Sequence, residues 1–329
     1  MTILLVPETQ ILGWLVSPSV VSSDGRVFSW SNPRHPGYPY PEIAGYLLSL
    51  LALEGDSTLD IRDRIARRLV GDMSRSGGVG RGGADYVFDS AMALAGLIAH
   101  ESAGGTLPDA RSVDRLFDFV SANLAAGRVG IGLSTAAPDH WSVSYGCHLL
   151  KVVIALCAYD ERYPTSTTRA LVDRLVSELT RLYDNGRFRV NANSSLTYLH
   201  SCCYAVEGLL VLQGRQRGEF GDLIRGSARW LAEIQSSEGG LHASHDGRNA
   251  FGSLHTDATA QAVRIWSLVD ATAFREHIDR GVGFLAEMAT PIGGLRYEPG
   301  SDDVNTWATI FGLQAVRWAS EGGHWQWIV

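Results

Sequence analysis

The side chains able to move protons gather in six windows of this chain. The windows hold His35, Tyr40 and Glu42; Tyr86 and Asp89; Asp139, His140, Trp141, Tyr145 and His148; Asn193, Tyr198, His200 and Tyr204; His242, His245, His255 and Asp257; and Arg296, Tyr297, Asp302, Asp303, Asn305 and Trp307. Most of the ten histidines fall inside them. Carboxylates, imidazoles and phenols together are the material of general acid–base catalysis, in which one group gives a proton while another takes one. The candidate catalytic set is Glu42, Asp89, Tyr145, His148, His200, Tyr204, His255, Asp257 and Asp303. Trp30, Tyr40, Tyr86, Trp141, Asn193, Arg296, Tyr297, Asn305 and Trp307 are the candidates for substrate binding, by stacking or hydrogen bonding.

Each candidate also has a plainer reading. Pro41-Glu42 makes an ordinary helix start, with a carboxylate facing the positive end of the dipole. Asp89, Asp257 and Asp303 suit helix caps equally well. Tyr145 with His148, and His200 with Tyr204, are spaced one helical turn apart and would share a face. Recurrence of that pair argues for a role beyond packing. Helix N-termini favour ionised carboxylates, neutral histidines and anionic ligands. Arg81, Arg189, Arg248 and Arg296 follow glycine turns and could supply counter-charge, though a solvated arginine is the simpler reading of each.

Cys202 and Cys203, beside His200 and one window before His255 and Asp257, raise the alternative of a zinc site. Adjacent cysteines are not zinc-ligand spacing, and small buried cysteines are common on apolar helices. The expectation is therefore no cofactor, with zinc as the alternative.

What positions these windows is a repeat. Glycine turns recur at Asp24-Gly25, Gly77-Gly78, Gly130-Ile131-Gly132, Asn185-Gly186, Gly239-Gly240 and Gly293-Gly294, about 53 residues apart. Before each lies an amphipathic helical stretch, such as RIARRLV at 64–70 or RWLAEI at 229–234, with apolar residues at three- and four-residue steps. After each lies a stretch that is apolar nearly all round, such as IAGYLLSLLAL from Ile43, YGCHLLKVVIAL from Tyr145 or YAVEGLLVL from Tyr204. A helix hydrophobic on every face must be buried on every face. Six half-exposed and six buried helices predict two concentric rings: an all-α (α/α)6 toroid, one domain over residues 1–329, with one central cavity whose mouth collects the polar windows. An open superhelix is the structural alternative, but it would need polar capping repeats.

Composition bounds the partners. Hydrophobic residues make up 45% of the chain and charged residues 19%, with a net charge of −7. No basic run is present to bind nucleic acid, and no apolar run approaches the roughly 20 residues of a membrane span. Four cysteines in so long a chain form no disulfide framework. The N-terminus lacks a basic region before its apolar stretch and a small-residue cleavage pattern, so a cytoplasmic location is expected. The expected partner is a small molecule, with an anionic sugar compatible with the helix N-termini.

Residues 293–316, GGLRYEPGSDDVNTWATIFGLQAV, resemble a repeat of the squalene cyclase and protein prenyltransferase branch of the α/α-toroid superfamily. YPYPEIAGYLL at 38–48 and LTYLHSCCYAVEGLL at 196–210 are similar to bacterial toroid proteins associated with polysaccharide or secondary-metabolite clusters. Those in turn resemble six-hairpin sugar enzymes: glycosidases, unsaturated-uronyl hydrolases, 2-epimerases and the C-terminal domain of glucuronyl C5-epimerase. The chain carries Asp302-Asp303 where class II terpene cyclases carry Asp-x-Asp-Asp, and it lacks the Asp-x-Cys spacing of the prenyltransferase zinc set. The resemblance implies an enzyme acting on a sugar or polyhydroxylated small molecule by acid–base chemistry, as hydrolase, epimerase or lyase. Its alternatives are a terpenoid-cyclase-like enzyme, with Asp303 as proton donor, and a non-catalytic toroid that binds a peptide or protein.

Overall fold

A computed structural model describes residues 7–133 and 141–329, the side chain of Trp141 excepted. Among the described residues twelve α-helices follow one another: α1 (Glu8–Leu15), α2 (Pro41–Leu53), α3 (Leu59–Gly71), α4 (Val87–Ser102), α5 (Ser112–Ala125), α6 (Val153–Arg162), α7 (Ser166–Leu179), α8 (Leu199–Gly214), α9 (Gly221–Glu233), α10 (Thr256–Asp270), α11 (Arg275–Met288) and α12 (Thr306–Glu321). The even-numbered helices form the inner ring and the odd-numbered ones the outer ring. Burial separates the two kinds as the pattern demands. In α5 a stripe is covered (Ser112, Val113, Leu116, Phe117, Phe119, Val120, Asn123, Leu124), whereas α8 is buried from Ser201 to Leu212 without a break.

Inner helices approach one another where side chains vanish. A Cβ on Gly45 of α2 or on Gly96 of α4 would lie closer than 3.0 Å to the other helix's backbone, so the two pack main chain to main chain. This brings the starts of α2 and α4 together.

The turn glycines have a second use. Gly25, Gly77, Gly186, Gly239 and Gly293 all have φ between 86° and 101°, where L side chains are strained. Each also abuts the next outer helix: Gly25 meets Arg64 of α3, Gly77 meets Arg115 of α5, Gly186 meets Trp230 of α9 and Gly239 meets Arg280 of α11. Gly293 meets the carbonyl of Gln10 in α1. The sixth turn thus docks on the first helix, and the ring closes. Closure is reinforced by antiparallel pairing of Trp30–Ser31 with Val304–Asn305 and by Arg317 of α12, which bonds Glu8 at 2.9 Å and Glu54 at 2.7 Å. The open superhelix is excluded. The third turn departs from the rule, with Gly132 at φ 72° and its nearest neighbour the Gly83 carbonyl.

Two local features differ from expectation. The connections leading into the inner helices are short antiparallel strands rather than bare loops, the longest pairing Leu241–His245 with Ala250–His255. The stretch from Tyr145 is not one α-helix. A 3-10 segment, Cys147–Val152, precedes α6, and Gly146 is extended at φ −150° with its Cα against the Val190 carbonyl. Tyr145 therefore lies outside the helix and does not share a face with His148.

Candidate active site

The inner segments start in the same register, and that register builds the site. The residue capping each segment is Tyr40, Tyr86, Gly146, Tyr198, His255 or Asn305. Two positions later stand Glu42, Phe88, His148, His200, Asp257 and Trp307. These two rings of six encircle the mouth of the toroid. A cavity of about 500 Å³ opens there, lined by Tyr40, Tyr198, His255 and Asn305 of the first ring and Glu42, His200, Asp257 and Trp307 of the second. Trp30, Tyr38, Arg81, Ser142, Ala243, Ser244, Tyr297 and Asp303 complete the wall.

On the α2 side the wall is aromatic and acidic. Trp30, Tyr38, Tyr40 and Trp307 meet edge to face in succession, with centroids 5.0, 5.8 and 5.3 Å apart. Glu42 is buried, and its Oε1 accepts hydrogen bonds from Trp307 Nε1 at 3.2 Å and Tyr204 Oη at 3.3 Å. Burial raises its pKa to about 7, against the opposing pull of those two donors. Asp89 sits behind, accepting from Tyr40 Oη at 3.3 Å. Burial, and then the neighbouring Glu42, push its pKa well above the carboxylate range. Two buried carboxyls this close do not both ionise readily.

On the α8–α10 side the wall is basic. Asp257 Oδ2 lies 3.2 Å from His200 Nδ1, and Asp257 Oδ1 accepts the Ala258 N–H at 2.7 Å. His255 stands 3.9 Å from Asp257 and 3.7 Å from Glu298, with its ring on Tyr297 at 4.5 Å. Burial lowers the pKa of His200 and keeps its imidazole neutral. This is an arrangement of proton acceptors, set opposite a carboxyl that holds its proton to near neutrality.

Several sequence candidates are not brought to the cavity. Tyr145 donates to Glu178 at 2.8 Å, away from the mouth. His148 is in the ring but sits under it, fully buried against Phe88 at 5.4 Å, and burial depresses its pKa to about 3. Tyr86 lines a neighbouring cleft. Asn193 is exposed in a turn, its N–H bonded to Asn191 Oδ1 at 2.9 Å. The Arg296 carbonyl accepts from Thr256 Oγ1 at 2.7 Å, and its side chain does not line the cavity. Asp303, by contrast, does line the cavity, at its rim, bonded to Asn32 at 2.6 Å and 3.4 Å from His35. Asp139, His140 and the side chain of Trp141 lie outside the described residues. Cys202 Sγ accepts from the Phe188 N–H at 3.3 Å, and Cys203 Sγ faces the Ala258 carbonyl. Among the described residues no three His, Cys, Asp or Glu side chains converge as a metal-ion site.

One element was missed altogether. Below the cavity floor Lys151 Nζ bonds Glu207 and the Val329 main-chain oxygen, each at 2.6 Å. Glu207 also pairs with Arg264, which donates to Gln314 at 2.7 Å. Lys151 lies 4.6 Å from the Tyr204 ring centre and 4.9 Å from that of Tyr46. The signal was a single charge in each of three otherwise apolar segments, with Glu207 and Arg264 both seven residues after a cavity residue.

No protein-family model matches the sequence, and no curated protein matches it. Solved structures do match. A glycosidase superposes with a TM-score of 0.69 at 15% identity, covering 95% of this chain and 97% of its own. An alpha-amylase from Clostridium perfringens gives 0.67 at 10% identity, covering 94% and 98%. A type II terpene cyclase from Scytonema gives 0.62 at 13% identity, covering 95% and 96%. The chain has the α/α-toroid fold. Within that shared fold, the chemistry has to be argued from the cavity itself.

Proposed function

We propose that this protein is an enzyme acting on a sugar or polyhydroxylated small molecule by general acid–base catalysis, as hydrolase, epimerase or lyase. One observation carries the reading. Glu42 and the His200–Asp257 pair start inner helices that stand opposite or nearly opposite in the ring, with the cavity between them. Glu42, with its pKa near 7, is the proton donor. Asp257, oriented by Ala258 N–H and flanked by His200 and His255, is the base. Such pairing contributes roughly 10²- to 10⁴-fold in rate for each partner. The string of tyrosine and tryptophan edges offers faces for a sugar ring, and Asn305, Ser142 and Ser244 offer hydrogen-bonding groups around it.

The cyclase alternative is disfavoured by Asp303. A donor strong enough to protonate an alkene needs a shielded carboxyl, and Asp303 is a third exposed and tied to Asn32 and His35. The non-catalytic alternative is disfavoured by polar groups that converge on open space instead of being packed over.

The reading is tested by incubating the protein with a panel of neutral and acidic di- and oligosaccharides in D₂O and following cleavage, unsaturation or C–H exchange by NMR. Turnover of at least one saccharide, reduced 100-fold or more in both Glu42→Gln and Asp257→Asn, is expected. Turnover unaffected by either change, or restricted to polyprenyl substrates, would overturn it.

A further inference from the structure

The cavity does not end at its wall. Arg81 and Tyr38 line both it and a second cleft of about 610 Å³, which runs outward over Gly80, Gly82, Tyr86 and Gly132. The two spaces differ in charge. Carboxyls line the first: Glu42, Asp257 and Asp303. Among the described residues none lines the second, where Arg81 is the single ionisable group apart from tyrosines.

Arg81 is also built as a receptor. It sits on the hairpin of Gly80–Arg81 with Ala84–Tyr86, half-buried at the junction of the two spaces. Its guanidinium lies 4.8 Å from the Tyr40 ring centre, 5.8 Å from that of Tyr38 and 5.9 Å from that of Tyr86. Nη1 donates to Tyr38 Oη at 2.9 Å. Among the described residues it forms no ion pair, whereas the guanidiniums of Arg187, Arg264 and Arg317 are each matched by a carboxylate. The rings hold the fork in place, and among the described residues its remaining N–H groups bond no carboxylate, Glu42 and Asp89 acting on the guanidinium only through space. A planar, pre-oriented guanidinium with free donors is the group that takes a carboxylate in two parallel hydrogen bonds.

We propose that the substrate is an acidic saccharide of at least two units, its neutral reacting unit in the acid–base cavity and the carboxylate of the adjoining unit on Arg81 in the second cleft. This rests on the acid–base reading above and adds a charge and a minimum length to it. Electrostatics favours this polarity: in the first cavity an anionic unit would face Asp257 and Asp303 beyond the protonated Glu42, whereas in the second the described residues set Arg81 before it with no carboxyl beside it.

Binding of matched pairs tests it. Cellobiose and cellobiouronic acid differ by a carboxylate in place of a hydroxymethyl group in one unit, as do galactobiose and galactosyl-galacturonic acid. Dissociation constants are measured by saturation-transfer NMR at low salt for the native protein and for Arg81→Gln, Arg81→Lys and Glu42→Gln. In at least one pair the acidic member should bind tenfold or more tighter. That preference should vanish in Arg81→Gln, return in part in Arg81→Lys, which keeps the charge without the fork, and persist in Glu42→Gln. Thermal unfolding confirms that the Arg81 variants are folded. Equal binding within both pairs, or a preference that survives Arg81→Gln, overturns the proposal and leaves the acid–base reading standing. Absence of binding by every saccharide overturns both.

Discussion

Tyr204 reaches Glu42 across the axis of the ring. Their helices, α8 and α2, stand three places apart among six, and the phenol donates to the carboxyl at 3.3 Å. The bond ties the acidic wall to the helix that carries His200, one turn before Tyr204, whose ring lies 4.2 Å from the phenol. It also carries a prediction. The hydrogen bond favours the ionised carboxyl, so Tyr204→Phe should push the Glu42 pKa above 7. The alkaline limb of kcat against pH should move up, with kcat itself falling less than about tenfold for loss of one neutral-donor bond worth about 1 kcal/mol. A pH–rate profile with an unmoved limb would show that the tyrosine only fills space.

Glu42 itself gives a prediction in two independent readouts. A proton donor with a pKa of about 7 loses activity as pH rises through 7, and Glu42→Gln should remove the limb along with roughly 10²- to 10⁴-fold of kcat. Stability gives the same group an opposite sign of need. The folded pKa lies above the unfolded value of 4.5, so the folded state holds more protons between pH 4.5 and 7. Its stability from this group is present below that window and lost as pH rises through it. Glu42→Gln, which cannot ionise, should therefore raise Tm relative to the native protein at pH 8 and change it little at pH 4. Parallel melting curves at the two pH values check this without any substrate.

The architecture was legible because glycine does two things that no other residue can do at these turns. Gly25, Gly77, Gly186, Gly239 and Gly293 need both the left-handed conformation and the missing Cβ, so they stand at a regular spacing that sequence alone displays. The mouth of the cavity was legible for a related reason: helix starts are marked by Pro41-Glu42 and by the acidic, aromatic and other polar residues gathered around each start. Depth was not legible. His148 and His200 occupy equivalent ring positions, yet only His200 lines the cavity, while His148 is fully buried beside Phe88. Tyr145 was misplaced because helical spacing was extended through Gly146, whose extended backbone breaks it. Arg81 looked like any solvated arginine until the rings of Tyr38, Tyr40 and Tyr86 were seen around it.

Ring closure at Gly293 can be separated from backbone strain by a control in the same segment. Gly293 and Gly300 both have positive φ, 101° and 79°, but a Cβ on Gly293 would strike the Gln10 carbonyl while one on Gly300 meets nothing within 4 Å. Gly300→Ala should cost about 1 kcal/mol, the left-handed penalty alone. Gly293→Ala should cost more by at least about 1–3 kcal/mol, because α1 must shift or detach. Urea unfolding gives the difference, and protease cleavage within residues 1–40 of Gly293→Ala reports the detached helix. Equal costs for the two variants would mean that the last turn and α1 are not bound as the geometry requires.

The buried charges under the floor set the last expectation. Lys151 is wholly buried, and burial lowers its pKa to about 8 although Glu207 opposes the shift. An ammonium this desolvated persists only while its partners are in place. Lys151→Met removes one of the two cations held by Glu207 and uncovers the Val329 oxygen. Breaking a buried pair costs about 3–5 kcal/mol, whereas Arg225→Ala, at a pair whose acid is fully exposed, should leave the unfolding midpoint within error. If the network only holds the base of the toroid together, the surviving Lys151→Met enzyme keeps its kcat and its pH profile. If it also sets the field at Glu42, through the Tyr204 ring that Lys151 touches, the alkaline limb moves up once the cation is gone, since Lys151 lowers the Glu42 pKa. The second outcome is expected, and a midpoint loss with an unchanged limb would confine the network to stability.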